Sequence, residues 1–123
     1  MTRIPGPLRP LILSTNRPAA RFYAGGAQID AFRSLPAGDD HTPEDWVAST
    51  TPVRGQAPAG LSILPDGTLL LDAVIQDPEG WLGADHVARW GPDAMILVKL
   101  LDAGQRLPVH AHPDDAFAAA ELT

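Results

Sequence analysis

The chain contains no cysteine, which removes disulfides, thiolate metal sites and thiol nucleophiles together and leaves histidine and carboxylates to hold any metal. It also lacks a long hydrophobic run. The opening MTRIPGPLRPLILSTN groups only a few apolar residues and interrupts them with Arg9 and Pro10, so neither a signal peptide nor a membrane span is expected, and the expected compartment is the cytoplasm. Basic residues are scarce, with 9 Lys and Arg against 15 Asp and Glu and a net charge of −6. That balance leaves no basic surface for nucleic acid or for anionic membrane. No glycine-rich phosphate loop precedes a helix, no Ser, His and Asp arrangement is recognisable, and no internal repeat is present. At 123 residues, 45% of them hydrophobic, the chain has material for one domain with a modest core.

What is present lies in the last quarter, LVKLLDAGQRLPVHAHPDD, where Gly104, His110 and His112 follow one another as glycine, five residues, His, one residue, His. Side chains two apart on a β-strand share a face, so a strand here would let His110 and His112 converge on one metal ion. Val109 and Ala111 would then face apolar packing, and Pro113, lacking an amide hydrogen, would end the strand. Gly104 is read as the tight turn that returns the chain from the apolar strand AMILVKLL. Two solvated histidines on a half-exposed strand would give the same spacing.

The pattern resembles the opening of the first cupin motif, and VKLLDAGQRLPVHAHPDD resembles the signature segment of the type I phosphomannose isomerases. Further stretches follow in the same order: AGGAQID at 24–30, HTPEDWVASTT at 41–51, similar to the family's tryptophan-containing strand, and DPEGWLG at 77–83. The resemblance implies a mainly β, cupin-type jelly roll with short helices. It also implies a zinc site in which His112 is a ligand and His110 takes the place of a ligand glutamine, zinc being favoured over ferrous iron. The implied reaction interconverts mannose 6-phosphate and fructose 6-phosphate, with zinc acting as Lewis acid. Pro108 departs from the family, standing where a serine is associated with substrate binding near the phosphate. The family's glutamate on the next strand and its distant histidine have no counterpart before Thr123, so residues 1–123 are expected to be the N-terminal part of such a domain, carrying only part of its site. Glu121 is read as a solvated helix residue rather than the missing ligand.

Lys99 interrupts the apolar run MILVKLL. It either reaches solvent from an edge or offers a cation to an anionic ligand at the pocket mouth, and it is the candidate substrate-binding residue for a phosphorylated hexose. The base and acid groups are not identifiable. Two other classes fit the same residues: an iron-dependent cupin oxygenase with a two-His and carboxylate site, and a non-enzymatic cupin half that binds a sugar or partner chain. In the last case, self-association through unpaired sheet edges is expected.

Elsewhere, LRPLILSTN reads as a strand, AQIDAFR as one or two helical turns, and WVAST as a short strand with Trp46 as a core anchor and Ser49 and Thr50 in supporting roles. TLLLDAVIQDPEGWLG reads as a helix, broken at Pro78, and a short second helix that Gly83 caps and that Trp81 and Leu82 close onto the sheet. DDAFAAAELT reads as a short helix, while His41 and His86 are placed at the surface, His86 in a polar loop.

Overall fold

A computed structural model describes residues 6, 10–19, 21–38 and 40–121. In chain order the elements are α1 (Gln28–Phe32), β1 (Glu44–Val47), α2 (Leu70–Gln76), α3 (Pro78–Leu82), α4 (Ala84–Trp90), β2 (Val98–Leu101) and α5 (Asp115–Glu121). The two strands form one antiparallel sheet in which Trp46 faces Lys99 and Glu44 faces Leu101.

This architecture overturns the expectation of a mainly β jelly roll. Among the described residues, β structure amounts to two four-residue strands and two isolated bridges, Gly25 with Ala103 and Ile63 with Leu69, and short helices outnumber the strands. The physical reason is partnership, because a strand persists only where a ladder takes up its N–H and C=O groups. The described part of the LRPLILSTN segment, 10–16, meets β1 only at Asn16, whose carbonyl accepts from Trp46 N–H at 2.9 Å. Residues 8 and 9 of that segment lie outside the described residues, as do 122 and 123 of the tail. The segment 105–114, interrupted by Pro108 and Pro113, pairs with no strand and is exposed almost throughout.

Further boundaries shift for local reasons. The strand read as WVAST lies two residues earlier, at Glu44–Val47, because Ala48 turns the chain with φ 48° and Ser49 is buried in the turn that follows. The polar loop expected around His86 is helix α4, set between Gly83 (φ 85°) and Gly91 (φ 70°), conformations that glycine adopts without strain. Proline at the first position of α3 separates it from α2 as expected. Trp81 and Leu82 do not close onto the sheet. They pack against Leu64, Leu70, Ala73 and Val74, an apolar cluster apart from the sheet.

The sheet is held by polar rather than apolar contacts. Asn16 anchors the free side of β1: its amide Nδ2 donates to the carbonyls of Trp46 (3.1 Å) and Gly60 (2.7 Å), while its backbone N–H donates to Asp45 Oδ1 (2.9 Å). Asp45 is fully buried and ion-paired with Arg33 at the end of α1 (2.7 Å). Asp30 within α1 accepts from Gly38 N–H (2.9 Å) and from Arg17 (2.6 Å), and those hydrogen bonds hold its carboxyl below the usual carboxylate range. The peptide groups of Asp45 and Val47 thus face β2, those of Trp46 meet Asn16, and the acidic side chains of β1 meet cations.

Candidate functional site

Alternation along β1 sends Glu44 and Trp46 to one face and Asp45 to the other, and the register puts Lys99 on the Trp46 side. On that face Glu44, only 4% exposed, is surrounded by donors. Tyr23 Oη–H donates to its Oε1 (2.7 Å) and Trp46 Nε1–H to its Oε2 (2.6 Å). Lys99 Nζ and Arg21 Nε lie 3.6 and 3.7 Å from Oε2. Both cations also sit over the Trp46 ring, Lys99 at 5.1 Å and Arg21 at 6.0 Å from its centroid.

Burial is the largest single influence on the Glu44 carboxyl and pushes its pKa up. The hydrogen bonds from Trp46 and Tyr23, with the charges of Lys99 and Arg21, together outweigh it, so the net shift is downward from 4.5 and the group is an anion at neutral pH. A carboxylate with its lone pairs so engaged is poorly suited to take a proton from a substrate. Its role is to position Lys99 and Arg21. Lys99 remains about one third exposed, at 32%, and is the group on this face able to meet an anionic ligand from solvent.

The same geometry has a spectroscopic consequence. Burial, and then the hydrogen bond to and charge of Glu44, push the Tyr23 phenol up to about 12 from 10.0. Tyr23 is the only tyrosine in the sequence, so absorbance at 295 nm reads it alone. The folded protein is expected to show no tyrosinate absorbance at pH 10 to 11. A phenol raised in this way contributes stability that is complete below its unfolded value and is lost as pH rises toward 12. A midpoint near 10 in the folded protein would show that the Tyr23–Glu44 contact does not form.

The expected metal ligands stand elsewhere. His110 and His112 are both exposed on the irregular segment before α5, with ring centroids 5.2 Å apart and ring planes inclined at 69°. Val109, expected to pack inward, is 97% exposed. Gly104 is not at positive φ. It lies against Gly25, its N–H donating to Ala24 O (2.8 Å), and an added Cβ would overlap the Gly25 carbonyl. Close approach of two backbones, rather than a left-handed turn, is therefore what this position requires. Asp114 Oδ1 accepts from Phe117 N–H (2.8 Å) and so serves the first turn of α5.

Two imidazoles can occupy two of the four positions of a tetrahedral zinc ion. Among the described residues no group of three or more His, Cys, Asp or Glu side chains is placed to hold a metal. Glu121 closes α5 and is exposed. His86 Nε2–H donates to Asp93 O (2.7 Å), and His41 lies 2.8 Å from Asp40 Oδ1. Glu44, Arg21 and Tyr23 carry no motif of their own. The signal that could have found Glu44 is its spacing from Trp46, two residues along a strand.

No protein-family model matches the chain, and neither a curated protein nor a solved structure matches it. No helix among the described residues is long and apolar enough to cross a membrane.

Proposed function

We propose that the chain carries part of the site of a cytoplasmic aldose–ketose isomerase that interconverts mannose 6-phosphate and fructose 6-phosphate. The observation that carries this reading is the Gly104, His110, His112 run followed by Pro113, Asp114 and Asp115, with the two imidazoles side by side. In this reading His110 and His112 provide two metal ligands, and Lys99, set by Glu44 and Trp46, offers a cation to the sugar phosphate. A non-enzymatic binding half is the second reading, favoured by the peptide groups of Lys99 and Leu101, which the ladder register turns away from β1 and which meet no backbone partner among the described residues.

Calorimetric titration with zinc tests the proposal, followed by an isomerase assay on mannose 6-phosphate. Binding at a dissociation constant in the micromolar range or weaker is expected, on the order of what two imidazoles give without a closed shell, and it should be lost in His110→Ala and in His112→Ala. Zinc binding that both variants retain unchanged, with no isomerisation, would overturn the reading.

A further inference from the structure

Arg17 and Arg33 close on their carboxylates, and Arg21 does not. Arg17 Nη1 reaches Asp30 Oδ1 at 2.6 Å and Arg33 Nη2 reaches Asp45 Oδ2 at 2.7 Å, the distances of charge-assisted hydrogen bonds. Arg21 Nε stays 3.7 Å from Glu44 Oε2, and Lys99 Nζ stays 3.6 Å from the same oxygen, both beyond hydrogen-bond length. The carboxylate is already in use, because Oε2 accepts from Trp46 Nε1–H at 2.6 Å and Oε1 from the Tyr23 hydroxyl at 2.7 Å. Among the described residues the buried Arg21 Nε has no hydrogen-bond acceptor. Two cations thus share one carboxylate, an excess of one positive charge on this face of a chain whose net charge is −6. Since both nitrogens lie within 3.7 Å of one atom, they are no further apart than twice that distance. One anion with several acceptor oxygens spans such a gap, with N···O distances of about 2.9 Å to each cation.

We propose that Arg21 is the second cation of a phosphate-binding site, its terminal Nη groups and the Lys99 ammonium taking different oxygens of one phosphate monoester. The proposal rests on the reading of Lys99 as the cation that meets a sugar phosphate, and adds the residue that selects the class of anion. A phosphate monoester carries about −1.5 to −2 charge at neutral pH and three acceptor oxygens. The planar guanidinium fork suits two of them and the point charge of the ammonium suits the third. A carboxylate, with one charge and two oxygens, satisfies one of these cations and leaves the other as it stands. Arg21 is 24% exposed and Lys99 32%, so both side chains are held at the protein surface and yet open to solvent. The Trp46 ring lies under both, which limits the positions they can take.

Titration of the metal-free full chain with mannose 6-phosphate, followed by NMR at the Trp46 indole N–H, tests the assignment separately from His110 and His112. That N–H donates to the oxygen that both cations flank. Mannose 6-phosphate is expected to shift its resonance saturably, while mannose and acetate leave it unmoved. Arg21→Gln and Lys99→Gln are each expected to weaken binding at least about tenfold, with the circular dichroism unchanged. Arg21→Lys keeps the charge beside Glu44 without the fork, so it should bind more weakly than the wild type and more tightly than Arg21→Gln, and it reads the same contact if the glutamine variant fails to fold. Binding that both Arg21 variants retain in full and Lys99→Gln loses would overturn the role of Arg21 and leave that of Lys99 standing. A wild-type indole that does not respond to mannose 6-phosphate, or binding that all three variants retain, would overturn both. Acetate bound as tightly as the sugar phosphate would overturn the assignment to a phosphate.

Discussion

Replacing Glu44 by alanine is expected to lower the unfolding free energy by about 3–5 kcal/mol, the range found when one partner of a buried ion pair is removed. The variant leaves the Tyr23 hydroxyl and the Trp46 indole N–H without their acceptor and sets Lys99 and Arg21 beside each other with no intervening anion. Glu44→Gln removes the charge and keeps one acceptor, so its loss should be smaller. In both variants the Tyr23 midpoint should fall from about 12 toward its ordinary value. The linkage sign for the wild type follows from the lowered Glu44 pKa. The contribution is complete above the unfolded value of 4.5 and disappears as pH falls below it through the folded value. Urea denaturation at pH 7 and pH 3 measures both effects. A loss under about 1 kcal/mol at pH 7, the level of a surface pair, would show that the Glu44 cluster does not hold the sheet.

On the opposite face, Arg33→Ala is expected to cost about 3–5 kcal/mol and to be worse than Asp45→Ala. The asymmetry follows from burial. Asp45 is fully buried, so loss of Arg33 strands an anion that retains only the Asn16 N–H donor. Arg33 is 23% exposed, so loss of Asp45 leaves a guanidinium that can turn to water. The double variant should be less destabilised than the sum of the two, because neither charge is then left alone. Denaturant midpoints of the three variants decide the ordering. Asp45→Ala proving the more damaging would mean that Asp45 acts mainly as an acceptor for Asn16 rather than as the partner of Arg33.

The sequence was legible where local chemistry decides the backbone. The apolar spacing of 70–82 with its break at Pro78, the short helix within 28–32, and the alanine-rich helix after Asp114 and Asp115 all form as their residues predict. Helix α4 was missed because its ADHVARW sequence has few apolar positions to mark a period, and its true signals are the glycines at each end. Strand structure was over-read because β geometry depends on partners that lie far away in the chain. The apolar run 94–101 yields only β2, since Met95 adopts φ 57° and the ladder begins at Val98. The histidine segment has a strand's alternation without a strand's neighbour. Glu44 was overlooked for a related reason: besides its strand neighbour Trp46, it is enclosed by Tyr23 and Lys99, contributed from separate parts of the chain.

The most direct test of the proposed function is an NMR titration of the four histidine imidazoles with zinc, followed by mannose 6-phosphate. The account predicts that zinc perturbs His110 and His112 together and leaves His41 and His86 in place, and that the sugar phosphate then perturbs the same pair again. Zinc acting on His41 or His86 as strongly as on His110 and His112, or a sugar phosphate that leaves the zinc-loaded pair unmoved, would contradict it.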